Sequence, residues 1–394
     1  MKVLTFGEVM LRLKTPEHLK ILQADTFEAN YGGAEANVAV SLATLGDDVS
    51  YVTKVPEHQV GQAAVNEIRR FGVDTSRVLR GGGRVGIYYF EKGTNIRPTS
   101  VIYDRAYSAI AMAKAEEFDW EKLLDGVDFF YFSGITPAIS TEIEKALENA
   151  LALCREKKIQ VVCDLNYRGK MWSTKDAQRV MRRLMAYVDV CIANDEDFES
   201  SLGIPAYDGD MSRGIEQIES YKEGMLEIQK QFPNCKAVAS VLRNLYTVED
   251  GDWMGIYLKD GKFYESPVHK VHSFEAVGAG DAFGAGLIHA MLHDFEPQKA
   301  IDFAISASVL KLMIQHDFNL VSEDEILRIM KTGETNVMMY AGIVAVAAVA
   351  GIAYAVYRFF APDYLEDFED DFDDEMDEDF FDDENEFEDD ADSE

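Results

Sequence analysis

Cysteine is scarce in this chain. Four residues in 394 (Cys154, Cys163, Cys191 and Cys235) show neither C-x-x-C nor metal-ligand spacing. That excludes a disulfide framework or a zinc ribbon as the organising feature. Three of the four lie in or beside apolar runs and read as buried thiols of a reducing compartment. Basic residues are also few: 38 Lys and Arg face 71 Asp and Glu, for a net charge of −33. A nucleic-acid partner needs a cationic stripe, and none stands out. The first residues, Met1–Glu8, lack the apolar run of a secretory leader, so none is expected.

The charge is uneven. Residues 363–394 hold 21 acidic and no basic residues, which leaves −12 for the rest. Such a tract is expected to be disordered, because its like charges repel and it has too little to bury. Phe368, Phe372, Phe380, Phe381 and Phe387 punctuate it, so binding of a basic partner is the alternative to a plain solvated tail. Before it, Val337–Tyr357 runs 21 residues without a charge. As a helix this run would be about 32 Å long, enough for a bilayer core, with a buried core helix as the competing reading. We therefore expect a domain over 1–332, a transmembrane helix over 337–360 and a disordered acidic tail over 361–394.

An apolar share of 47% supports a sizeable core. Strand-like and helix-like patterns alternate through the first 332 residues. Strands are expected at 2–10, 49–54, 128–132, 159–164, 190–193 and 237–242. Helices are expected at 34–45, 61–71, 141–158, between the strands at 159–164 and 190–193, and at 282–292, 299–315 and 322–331. Thr141 with Glu144 and Ser322 with Glu325 fit capping boxes. This rhythm implies an α/β fold, a mostly parallel sheet covered on both faces. Ligands of such sheets bind beyond the carboxyl ends of the strands. Two stretches, about 10–31 and 84–105, break the rhythm and predict a small antiparallel β lid.

The sharpest chemical signal is Gly278-Ala279-Gly280-Asp281, placed ahead of an apolar helical pattern. Glycines let backbone amides approach a ligand, and a helix N-terminus favours a phosphate. Asp281 would repel that anion unless it takes a proton from an attacking hydroxyl, which points to phosphoryl transfer to an alcohol. A glycine turn with a capping Asp is the plain structural alternative. Gly32-Gly33 with Asn37 enters the first helix in a similar way and could admit a polyol.

Together the two glycine motifs resemble the paired signatures of the ribokinase-like (PfkB) carbohydrate kinase family, over about residues 1–332. Asn194-Asp195-Glu196-Asp197 is similar to its Asn-x-x-Glu magnesium motif. Tyr103-Asp104-Arg105-Ala106, Asp164-Leu165-Asn166-Tyr167-Arg168 and Asp317-Phe318-Asn319 resemble its 2-keto-3-deoxygluconate kinase branch. Departures are Glu275-Ala276-Val277 ahead of the turn, Asp197 for Glu, Tyr107 for a small residue and His316 for Gly.

The resemblance implies ATP-dependent phosphorylation of a sugar-acid hydroxyl, with ATP and Mg²⁺ bound. Asp281 is the implied general base, with Gly278, Ala279 and Gly280 around the transferring phosphoryl. Gly32, Gly33, Asn37, Tyr89, Tyr103, Arg105, Arg168 and Asp317 are the implied sugar residues. Asn166, Arg168, Asn194, Arg243, Gly278, Gly280 and Asn319 are implied for the nucleotide. Asn194 and Asp197 are implied for the metal, through water. An Arg fork suits a carboxylate, yet Arg105 could pair with a nearby acid and Arg168 with ATP phosphates. A neutral sugar such as fructose or ribose is the alternative substrate, and a membrane-tethered non-catalytic scaffold the alternative role. The expected setting is a cytoplasmic kinase domain on a single C-terminal span, pairing as a homodimer through the lid.

Overall fold

Alternation with a period of two organises the core. Phe129, Phe130, Tyr131 and Phe132 are successive and buried, but Phe129 and Tyr131 join one apolar layer while Phe130 and Phe132 join the other. A strand buried on both faces must sit inside a sheet that helices cover twice. The structure, a computed structural model, describes residues 1–332.

The strands are β1 (Lys2–Phe6), β2 (Met10–Lys14), β3 (Glu28–Gly32), β4 (Asp48–Val52), β5 (Lys54–Val55), β6 (Leu79–Arg80), β7 (Gly86–Glu91), β8 (Ser100–Asp104), β9 (Phe129–Ser133), β10 (Gln160–Asp164), β11 (Val190–Ile192), β12 (Ala237–Leu245), β13 (Asp250–Lys259), β14 (Lys262–Glu265) and β15 (His269–His272). The helices are α1 (Ala34–Thr44), α2 (Gln59–Arg69), α3 (Trp120–Leu123), α4 (Thr141–Lys157), α5 (Thr174–Leu184), α6 (Asp197–Leu202), α7 (Ile218–Gln231), α8 (Ala279–Leu292), α9 (Pro297–Lys311) and α10 (Glu323–Thr332).

The central sheet runs β14-β13-β12-β11-β10-β9-β1-β4, with β15 also on β13. From β4 to β12 every pairing is parallel, and β13 to β15 add an antiparallel edge. Helices α4 to α7 pack on one face, and α1, α2, α8 and α9 on the other. Strand alternation marked the parallel strands in the sequence. It missed the antiparallel edge, where β13 opens on the polar Asp250-Gly251-Asp252.

The second sheet, β3-β2-β7-β8, is the lid. It is mixed rather than antiparallel, because β2 pairs with β7 in parallel. Expected strand 2–10 is two elements, with β1 in the main sheet and β2 in the lid. Residues Ile21–Gln23 form a 3-10 turn, so β2 and β3 are the strands of the 10–31 stretch.

Local capping explains two helix starts. Ser140, not Thr141, caps α4, its Oγ accepting from the Ile143 amide at 3.3 Å. Ser322 and Glu325 form a reciprocal box at α10, the Glu325 amide donating to Ser322 Oγ at 3.4 Å and the Ser322 amide to Glu325 Oε2 at 2.9 Å. Among the described residues, no helix is long and apolar enough to cross a membrane. The expected span over 337–360 and the acidic tail over 361–394 lie outside the described residues.

Candidate active site

The carboxyl ends of the parallel strands and the lid enclose a cavity of about 850 Å³. The rule for α/β sheets places a ligand there. The helix α8 supplies its floor. Gly278 precedes it with φ +80°, and a Cβ there would stand 2.2 Å from the Asp317 carbonyl oxygen. Only glycine fits that turn, which directs the first α8 amides and Asp281 toward the cavity.

Asp281 is 8% exposed, and its Oδ2 accepts from Asn37 Nδ2 at 2.7 Å. Burial raises its pKa to about 7; the Asn37 bond and the Arg168 charge oppose the rise. Asn37 Oδ1 also accepts from the Gly33 amide at 3.3 Å, so one side chain joins both glycine turns. Gly33, Asn37, Ala279 and Gly280 line the cavity. Gly32 does not. It gives room to Asp317, whose Oδ1 would lie 1.9 Å from a Cβ at that position.

Asp317 is 2% exposed and receives three donors: Arg12 Nη1 at 2.6 Å, Asn30 Nδ2 at 3.2 Å and the Tyr88 hydroxyl. Tyr88 and Tyr103 face the cavity. Tyr89, the residue expected there, points the other way and packs edge-on to Phe27 at 5.9 Å. Successive strand residues point to opposite faces, so this one-residue difference exchanges the two tyrosines.

Arg105 reaches the cavity but is held by Glu8, its Nε donating to Oε2 at 2.8 Å. Glu8 also accepts from Ser108 Oγ at 2.6 Å. The nearby Asp104 pairs with Arg84 instead. Arg168 lines the cavity and donates to the Tyr167 carbonyl at 2.9 Å. Its charge is felt by Asp164, Asp197 and Asp281 and opposes the rise that burial gives the pKa of each.

Opposite these lie the loops after β10 and β11. Asp164 is buried, and burial together with the charges of Asp197 and Asp281 keeps its pKa well above the carboxylate range. Both Asp197 oxygens accept backbone amides, from Tyr167 at 2.7 Å and Asn194 at 3.0 Å. Its pKa rises to about 6 through burial. Asn194 Oδ1 accepts from the Val241 amide at 2.8 Å. The expected metal residues are therefore already loop fasteners, which leaves contact through water as their open mode. Asn166 has φ +37°, and its Oδ1 is buried without a hydrogen-bond partner. Glu196 adds an exposed carboxylate to the same wall. An all-oxygen donor set with one orphaned acceptor suits a hard cation such as Mg²⁺.

Arg243 lines the cavity and is paired with Asp195. Asn319 is not at the cavity: it is 2% exposed, with Nδ2 donating to Ser41 Oγ on α1 at 3.2 Å. The expected nucleotide contact there gives way to a helix–loop bond.

Three cations, Arg12, Lys14 and Lys311, went unseen in the sequence. Arg12 is fully buried between Glu275 and Asp317, with its guanidinium 3.9 Å over the Phe90 ring. Burial would raise the Glu275 pKa, but Arg12 and Lys14 hold it below the usual value. Glu275, a departure from the family pattern, is thus neutralised by lid cations. Lys311 on α9 is fully buried behind the Gly278 turn, donates to the Ile314 carbonyl at 3.0 Å, and has its pKa lowered by burial to about 8. A signal for Arg12 existed. It shares the inward face of β2 with Met10 and Lys14, but its partners are far away in sequence.

Residues 1–313 match the family model described as pfkB family carbohydrate kinase. The chain belongs to the pfkB family of carbohydrate kinases. This PfkB protein is an ATP-dependent sugar kinase on a ribokinase-like α/β fold. It is 45% identical to a solved 2-dehydro-3-deoxygluconokinase from Thermotoga maritima, with a TM-score of 0.80 over 84% of this chain and 99% of that one. It is 31% identical to 2-dehydro-3-deoxygalactonokinase of Haloferax volcanii over 85% of this chain and 98% of that protein. An E. coli ribokinase II structure in complex with ATP and Mg²⁺ shares the fold alone, at 16% identity and a TM-score of 0.70 over 84% of this chain and 99% of that one.

Proposed function

We propose that this kinase transfers the γ-phosphoryl group of ATP to a hydroxyl of a 2-keto-3-deoxy sugar acid, with the 6-hydroxyl of 2-keto-3-deoxygluconate as the first choice. The observation that carries the reading is Asp281: a buried carboxylate at a helix N-terminus, facing the cavity, with a pKa of about 7. Its ionised form takes the hydroxyl proton, the sugar oxygen bonds to the γ-phosphorus, and the bond to the ADP oxygen breaks. The α8 amides of Gly280 and Asp281 face the charge on the phosphoryl oxygens, while the Ala279 amide donates to the Ala276 carbonyl at 3.3 Å. Mg²⁺, when bound, neutralises charge on the ATP phosphates. Asn194, Glu196 and Asp197 are the residues that would hold it, with Asn166 Oδ1 beside them.

The names of the Thermotoga and Haloferax relatives support a sugar acid, and Arg168 is a cavity cation without a carboxylate ion pair among the described residues. Tyr88, Tyr103, Asn37 and Asp317 shape the sugar side. One observation favours a neutral sugar instead: Arg105 is already paired with Glu8. A panel of 2-keto-3-deoxygluconate, 2-keto-3-deoxygalactonate, fructose and ribose with ATP and Mg²⁺ decides between the readings. A higher kcat/KM for fructose or ribose would overturn the sugar-acid assignment. The homodimer reading rests on β8, a lid edge that exposes Ile102. Light scattering of an Ile102→Lys variant tests it, with loss of the dimer expected.

A further inference from the structure

A second constellation lies at the far end of α8. His289 and His293 are one helical turn apart, so both imidazoles fall on the same side of the helix. Asp47, from the loop after α1, lies between them. One of its oxygens is 2.8 Å from His289 Nδ1 and the other 2.9 Å from His293 Nε2. The rings are 4.3 Å apart, and the ligand atoms of the three residues fit within 4.8 Å of one another. Asp47 and His289 have side chains 4% and 1% exposed, whereas His293 opens to solvent at 51%.

A hydrogen-bonded trio accounts for both Asp47 oxygens but not for the rest. His289 Nε2 is buried and makes no hydrogen bond. The nearest carboxylate to it, Glu323 Oε1 on α10, stands 3.8 Å away, beyond hydrogen-bond length. Two imidazoles and a carboxylate with ligand atoms within 4.8 Å of one another, with a second carboxylate beside them and one side open to water, form a nitrogen–oxygen donor set. That set matches Zn²⁺ and its neighbours in the first transition row, not Mg²⁺ or Ca²⁺.

We propose that Asp47, His289 and His293 form a transition-metal site, occupied by Zn²⁺ or a similar ion, with Glu323 as the adjacent carboxylate. It is separate from the cavity, because His289 is eight residues beyond Asp281, about 12 Å along the helix axis. Its role is structural. The ion ties the C-terminal end of the helix that carries Asp281 to the loop after α1 and to the start of α10.

The test uses the full chain and Co²⁺ as the probe. Wild-type protein is expected to bind one Co²⁺ with the strong visible ligand-field absorption of a low-coordinate nitrogen–oxygen site. It is displaced by Zn²⁺ and unaffected by excess Mg²⁺. His293→Ala, which alters an exposed side chain, is expected to abolish that absorption and to weaken Zn²⁺ by more than about tenfold, the scale seen even for loss of an outer-shell partner. Its unchanged circular dichroism and its sugar phosphorylation with Mg²⁺ report an intact fold. Weak absorption typical of all-oxygen coordination in both proteins would assign the metal to acidic surface groups and overturn the proposal. Equal Zn²⁺ affinity in both would do the same.

Discussion

Asn37, in the first turn of α1, donates its side-chain amide to Asp281, in the first turn of α8, across 2.7 Å. This bond stabilises the ionised carboxylate against the burial that raises its pKa to about 7. The rate should therefore rise with pH through about 7 as Asp281 loses its proton. Asn37→Leu removes the stabilising donor, so the acid limb of kcat/KM is expected to move to higher pH. An unmoved limb would assign the titration to another group.

Asp281→Asn is expected to lower kcat by ~10²–10⁴, the range for loss of a general base, with little change in the KM for ATP. The linkage has a definite sign. The folded pKa of Asp281 lies above the ordinary value of 3.8. Between those two values the folded state binds more protons than the unfolded one, and stability falls as pH rises. The Asn variant carries no such loss. Its Tm should exceed the wild-type value at pH 8 by more than at pH 5, as calorimetry can read.

Tyr88 and Tyr89 separate by face. Tyr88→Phe removes a donor from buried Asp317 and is expected to cost about 1–3 kcal/mol, with a raised KM for the sugar. Tyr89→Phe should stay within about 0.5 kcal/mol of wild type and leave the KM unchanged. Equal effects on the sugar KM would put the β7 register in error.

Arg12 carries no solvent exposure and faces two buried acids. Arg12→Met takes the paired cation from Asp317 and leaves Glu275 with Lys14 alone, so both charges are under-compensated and the fold should be destabilised by about 3–5 kcal/mol. Arg12→Met with Glu275→Gln should recover part of that loss, since one under-compensated charge is gone. Urea denaturation of the two variants measures the difference.

Arg168→Ala is expected to raise the KM for a sugar acid about tenfold or more, the scale of a charged hydrogen bond, and to raise that of fructose less. Arg105→Ala should behave differently, because it also releases Glu8. Its effect is expected to be non-additive with Glu8→Gln, by about 0.5–3 kcal/mol in a double-mutant cycle. Additive losses would mean that the pair acts independently.

The glycine turns, the α/β rhythm and Asp281 were legible because each depends on short stretches of chain. A parallel strand buried on both faces shows as an apolar run, and Gly278-Ala279-Gly280-Asp281 declares a helix mouth within four residues. Face assignment was less legible. β7 carries aromatics on both faces, so its composition could not choose Tyr88 over Tyr89. The resemblance implied Asn319 for the nucleotide, but its side chain bonds Ser41 on α1 instead.

Local pattern alone was enough for the parallel strands of the sheet and the acid at the start of α8, since backbone periodicity and glycine sterics act over a few residues. Folding assigned the charges to one another. Arg12 meets Asp317 across 305 residues, and Arg105 meets Glu8 across 97. Burial makes such pairing obligatory, because an unpaired charge inside the protein is too costly to keep. Which acid meets which base depends on strand register and the approach of the lid, and no short stretch of sequence contains either.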